Sequence, residues 1–128
     1  MKELEVRTSS RRQLVAITDR IQEAVGELGV EDGSCHVFVP HTTAAVTINE
    51  NADPDVAHDI VTALGELVPD VRFRHGEGNS DAHFLSTLIG CSLTVPVAHG
   101  RLRLGTWQGV FFVELDGPRT RKVWVSGG

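Results

Sequence analysis

The stretch His75-Gly-Glu-Gly-Asn79-Ser-Asp-Ala-His83 places two imidazoles, two carboxylates and an asparagine within nine residues, and His41-Thr-Thr lies far upstream. Three histidines of this kind have the donors that zinc catalysis requires, since a catalytic zinc takes three protein ligands and keeps one position open. His41, His75 and His83 are therefore candidate ligands of a divalent metal, zinc or magnesium. The same stretch turns from a glycine-rich loop into a helix start, and helix N-termini also hold phosphate groups. Glu77 is a candidate general base or further ligand. Asp81 falls in the first helical turn, where a carboxylate complements the helix dipole.

Other polar clusters are separate in sequence. Asn49-Glu-Asn-Ala-Asp53 follows an apolar strand directly, a place where chain ends often present binding groups. His58 and Asp59 come one turn into the next helix, where they either line a pocket or face water. Trp107 stands in Gly105-Thr-Trp-Gln-Gly109, either packed in the core or serving as a stacking platform for a flat ligand. In Asp116-Gly-Pro-Arg119, turn chemistry accounts for the first three residues. It leaves Arg119 over, whose planar fork suits a phosphate. Neither a GxSxG elbow, a GxxxxGKS loop nor a GxGxxG turn occurs.

The elements that must position these groups can be read from periodicity. Residues 3–8 and 12–17 are candidate strands. Thr18 is the expected cap of a helix over Asp19–Leu28, whose Ile21, Ala24, Val25 and Leu28 form an i, i+3, i+4, i+7 stripe, with Gly29 as the stop. Cys35–Val39 and Thr42–Asn49 read as strands. Asp53-Pro54 opens a second helix, with Val56, Ile60, Ala63, Leu64 and Leu67 expected to be buried and Pro69 ending it. A polar loop over 70–78 leads to a third helix, capped by Asn79 and closed by Gly90, with Ala82, Leu85 and Ile89 inward. The remainder reads as strands at Ser92–Val97, Arg101–Leu104, Trp107–Leu115 and Thr120–Ser126. Strands outnumber helices and short turns join them, so the expected class is α+β, a largely antiparallel sandwich-like core with about three packed helices.

A chain of 128 residues, 41% hydrophobic and 23% charged, fits one domain spanning residues 1–128. The net charge of −5 and the absence of a basic stripe argue against nucleic acid. No apolar run suits a membrane span and the N-terminus lacks an apolar signal segment, so a cytoplasmic location is expected. Arg119, Arg121 and Lys122 make a short cationic segment, either a solvated strand face or a group with a binding role. Cys35 is expected in the core; Cys91 is either a small packed residue or a thiol lining a site.

His41-Thr-Thr-Ala-Ala, Asn49-Glu-Asn-Ala-Asp-Pro54, His58-Asp59, Asn79-Ser-Asp-Ala-His83, Leu104-Gly-Thr-Trp-Gln108 and Asp116-Gly-Pro-Arg119 together resemble the YjbQ family, from about residue 4 to residue 125. The resemblance implies a compact α+β subunit assembled as a homotrimer, with sites near subunit boundaries. It also implies a secondary thiamine-phosphate synthase activity, joining a pyrimidine-methyl diphosphate to a thiazole phosphate with release of diphosphate. On that reading His83, Glu77 and Asp59 are catalytic. Asn49, Asn79, Trp107 and Arg119 bind substrate, and His41, His75 and His83 hold a metal or the diphosphate. Cys91 departs from the family pattern, which has another small residue after Gly90. The rival expectations are a metal-dependent hydrolase of a small phosphorylated substrate and a non-enzymatic trimeric binding protein.

Overall fold

The computed structural model describes residues 1–128. Eight strands and three helices follow one another as β1 (Lys2–Arg7), β2 (Gln13–Ala16), α1 (Thr18–Leu28), β3 (Gly33–Phe38), β4 (Ala44–Glu50), α2 (Pro54–Leu67), α3 (Ser80–Ile89), β5 (Ser92–Ala98), β6 (Arg101–Leu102), β7 (Gln108–Glu114) and β8 (Thr120–Gly127). They form two antiparallel sheets, one in the order β1-β8-β3-β5-β6 and the other β2-β7-β4. The α+β class and all three expected helices are present.

Alternation explains the first sheet. Val6 on β1, Cys35 and Val37 on β3, Val95 and Val97 on β5, and Val123 and Val125 on β8 all point inward, while their neighbours face out. Their inner face meets Ala44, Val46, Val110 and Phe112 of the second sheet, and Ile21, Ala24 and Val25 of α1 join the same cluster. β7 is buried on both faces, because its opposite side contacts the helices. There Val113, Leu115 and Ala45 pack on Ala82 and Leu85 of α3. A strand covered twice reads as a continuous apolar run, as Gly109–Val113 does.

Two expected caps are built differently. Thr18 is not the cap, a position that falls to Ile17; its Oγ1 accepts from the Val110 amide at 2.9 Å, tying α1 to β7. The Asn79 side chain makes no cap either; its backbone carbonyl accepts from Ala82 and His83, leaving the amide group free for another partner. Asp53 does cap α2, accepting from Asp55 N at 2.9 Å, with Pro54 at the first position. The stripe of α2 is not buried as expected. No residue of α2 is fully covered, and Leu67 is 54% exposed. The helix stands off the sheet by a gap of about 140 Å³ lined by Ile60, Leu64 and Val113, so its apolar side is only half-covered. No helix is long and apolar enough to cross a membrane.

Candidate functional site

His41 lies between β3 and β4, and His83 lies on the first turn of α3. Both line one hollow of about 390 Å³, together with Thr42, Ser86, Thr87 and Cys91. Ser86 Oγ donates to the Thr42 carbonyl at 2.7 Å and thereby pins α3 against the chain that carries His41. A second hollow of about 530 Å³ adjoins it, sharing His41, Thr42 and Cys91 and adding Phe38, Arg119 and Arg121. The two together make one polar cleft across the loop before β4, the end of α3 and the start of β8.

His75 does not line this cleft; it lines a separate hollow of about 250 Å³ with Arg11, Phe73, Ser80 and Asp81. Its ring meets that of His83 edge-on, with centroids 5.5 Å apart, and Glu77 Oε1 sits 3.6 Å from its Nε2. His41 is held differently. The Lys122 amide donates to His41 Nε2 at 2.9 Å. Burial lowers the His41 pKa, helped by the neighbouring Arg121 and partly opposed by Glu114. An acceptor Nε2 leaves the proton on Nδ1, so neutral His41 presents an N–H to its surroundings.

This hydrogen bond conflicts with the expected metal role of His41. Coordination through Nε2 would displace the Lys122 amide, and coordination through Nδ1 would put an Nε2 proton against that N–H. No group of three or more His, Cys, Asp or Glu side chains converges at metal-ligand spacing. Within one chain the set reduces to His75 and His83, with Glu77 76% exposed beside them, which falls short of a tetrahedral protein site.

The other expected residues divide. Arg119 lines the second hollow and is steered by Asp116, whose carboxylate takes its Nη2 at 3.0 Å and the Asn79 Nδ2 at 3.0 Å. Asn79 therefore orders the turn rather than facing the cleft, and its Oδ1 is buried without a partner. Asp81 does more than meet a helix dipole: it accepts from Arg12 at 2.6 Å and from Arg11 at 3.0 Å. Asn49, Asp59 and Trp107 line neither hollow. Asn49 Oδ1 accepts from the Glu50 amide, Asp59 is 83% exposed beside His58, and Trp107 is 64% exposed on the turn before β7. Trp107 is thus neither core nor part of the cleft. The aromatic that borders it is Phe38, stacked on Trp124 at 5.8 Å with 17° between planes.

The largest omission is an ion pair. Glu114, fully buried, accepts from both Nε and Nη2 of Arg121, from Thr8 Oγ1 at 2.7 Å and from the Leu115 and Asp116 amides. Arg121 Nη2 also donates to the Thr43 carbonyl and hydroxyl, both at 3.0 Å. Arg121 is 3% exposed, so a solvated face holds for Arg119 and Lys122 and fails for Arg121. Two signals were available. Glu114 is a lone acid closing an apolar run, and Arg121 shares strand parity with Val123 and Val125.

The UPF0047 protein YjbQ-like family model matches residues 2–127. The chain belongs to the YjbQ family. It is 52% identical to the UPF0047 protein MJ1081 of Methanocaldococcus jannaschii, over 95% of this chain and 89% of that protein. It is 44% identical to UPF0047 protein YugU of Bacillus subtilis, over 98% of this chain and 97% of that one. Among solved structures, the YjbQ/UPF0047-family protein of Clostridium acetobutylicum superposes with a TM-score of 0.96 at 49% identity, each chain covered in full. APE1520 of Aeropyrum pernix K1 gives 0.93 at 42% identity, covering 99% of this chain and 96% of that one.

Proposed function

We propose that this YjbQ-family chain is a transferase acting on a phosphorylated small molecule in the His41–His83 cleft, in the manner of a secondary thiamine-phosphate synthase. The observation that carries this reading is the composition of the cleft: two imidazoles, two guanidinium groups and several hydroxyls surround one hollow region, and no carboxylate lines it. Such a surface favours an anion.

The chemistry of the implied reaction suits it. The ring nitrogen of the thiazole phosphate attacks the methylene carbon of the pyrimidine-methyl diphosphate. A C–N bond forms, the C–O bond breaks, and diphosphate leaves with the bonding electrons. No proton is removed from the attacking nitrogen, so no general base is required. What the reaction asks of the protein is stabilisation of charge growing on the leaving oxygen, the largest single contribution many enzymes make. Arg119 and His83, which line the two hollows, would face that charge, and the exposed ring of Phe38 beside the second hollow would lie against a flat ring. Glu77 and Asp59, expected to be catalytic, have no proton to move in this scheme. The unit proposed is a homotrimer with this cleft near a subunit boundary, as the family resemblance implies.

Purified protein given both substrates is expected to form thiamine phosphate, with His83→Ala and Arg119→Ala each at least tenfold slower. Product formation no faster in wild type than in His83→Ala would overturn the proposal. A metal-dependent phosphatase would instead release inorganic phosphate from either substrate alone and lose that activity to a chelator.

A further inference from the structure

The site contains a buried cation whose charge is aimed in one direction. Five donor contacts fix Arg121: its Nε and Nη2 go to Glu114, and Nη2 also reaches Thr43. These use one side of the guanidinium and leave Nη1 without a partner in the chain. Arg121 nevertheless lines the second hollow, and Nη1, which has no partner and is not sealed from solvent, is the nitrogen left to face it. Arg119 borders the same hollow, with Nε donating to the Asp116 carbonyl at 2.9 Å and Nη2 to its carboxylate, again leaving Nη1 free.

His41 stands between the two hollows. Its Nε2 is occupied by the Lys122 amide, so its remaining polar group is an Nδ1–H donor. Lys122 is the residue after Arg121, so one stretch of β8 sets both groups: alternate residues point to opposite sides, Arg121 inward and Lys122 outward, while the backbone between them fixes the imidazole. A guanidinium with an unused N–H pair beside a neutral imidazole N–H sets two donors side by side, with the Thr42 and Thr43 hydroxyls around them. Acceptor oxygens with spread negative charge fit that pair of donors.

We infer that the hollow lined by Arg119, Arg121 and His41 is a phosphoryl subsite, in which Arg121 Nη1 and His41 Nδ1–H are the donors that select an anion of phosphate geometry. The inference rests on the reading of the cleft as the working site, but it concerns binding and makes no claim on turnover. The ligand class is a phosphate or diphosphate ester, and the subsite takes its terminal group.

Inorganic diphosphate is the probe. Calorimetric titration of the wild type is expected to show saturable binding. Arg121→Lys, which keeps the charge and loses the fork, is expected to weaken it at least tenfold, and His41→Phe likewise. Arg101→Ala removes an equal charge from exposed β6 and is expected to bind as wild type does. In a wild-type sample labelled with ¹⁵N, the His41 ring is expected to show the Nδ1–H form, with that proton shifting on addition of diphosphate. This last readout needs no variant to fold. Equal weakening in Arg101→Ala and Arg121→Lys, no saturable binding in the wild type, or a His41 ring protonated at Nε2 would each overturn the inference. Diphosphate binding that behaves as expected in a protein forming no thiamine phosphate would overturn the transferase reading and leave the subsite standing. Turnover with diphosphate binding unchanged in Arg121→Lys would do the reverse.

Discussion

Replacing Arg121 by methionine should reverse the way stability responds to mild acid. In the wild type, burial alone would push the Glu114 carboxyl up, but the hydrogen bonds of Arg121 and Thr8, with the Asp116 amide and the Arg121 charge, outweigh it and hold the pKa below its ordinary value. A depressed carboxylate contributes stability that is present above its unfolded pKa and is lost as pH falls through the folded value. The wild type should therefore hold this contribution from pH 8 down to about 4.5 and lose it below. Arg121→Met keeps the volume of the side chain and removes the charge. Glu114 then stays at no exposure with only Thr8 and two amides as donors. Breaking a buried ion pair from one side costs about 3–5 kcal/mol, and the three remaining donors favour the lower end. For a chain of this size that corresponds to a fall of roughly 12 °C in melting temperature, at about 4 °C per kcal/mol. With the guanidinium gone, burial dominates and the Glu114 pKa rises above the unfolded value. A raised pKa gives stability that is lost as pH rises, so the variant should recover part of its deficit between pH 8 and 5. Urea denaturation of both proteins at pH 8 and pH 5 measures this directly. A deficit that stays constant or grows toward pH 5, or one under about 1 kcal/mol at pH 8, would refute the reasoning.

Asp81 joins the loop before β2 to α3, and although burial raises its pKa, the Ala82 amide and the Arg11 and Arg12 charges bring it below the ordinary value. Asp81→Asn should cost about 1.5–3 kcal/mol at neutral pH, and the difference from wild type should shrink as pH falls below 4, as thermal melts would show. Cys91 is exposed in the cleft, whereas Cys35 is fully buried with its pKa pushed up to about 11. Iodoacetamide at pH 8 should therefore label one thiol per folded chain, located by peptide mass mapping, and diphosphate should slow that labelling; modification of Cys35 before unfolding would contradict the packing described. Asp53→Ala removes the cap of a half-covered helix and should cost about 1 kcal/mol in chemical denaturation, with Asp53→Asn restoring most of it.

Most of the fold was legible because its elements follow the simple periods. The inward valines of β1, β3, β5 and β8 alternate, the α1 stripe repeats at helical spacing, and Gly29 in a left-handed conformation stops that helix. What escaped depended on partners distant in sequence. Thr18 and Asn79 have the right chemistry for caps, but Val110 and Asp116 lie in reach and compete for their side chains. The α2 stripe is as regular as that of α1, yet periodicity says which side faces in and not how closely the sheet approaches. Among the candidate site residues, His41, His83 and Arg119 meet at one cleft, while Asn49, Asp59 and Trp107, joined to them by the motifs of the family resemblance, line neither of its hollows. Nothing in their spacing encodes distance.

Arg121 and Glu114 show why polarity alone misleads. A charge at a core parity position looks like an exception to be assigned to solvent, but here the strand register forces it inward, and the register is fixed by Arg121 opposite Val6 of β1. The partner acid lies on β7 of the other sheet, Thr8 follows β1 and Thr43 precedes β4, so the network ties both sheets together where the core meets the cleft. Apolar residues of similar volume would fill the same space, often with equal or greater stability. They would leave no directed N–H at the cleft. The ion pair is thus better explained by what its unused nitrogen faces than by what its used ones hold. The stability deficit of Arg121→Met and the diphosphate affinity of Arg121→Lys separate those two roles, because the lysine keeps a charge for Glu114 while giving up the fork that presents Nη1.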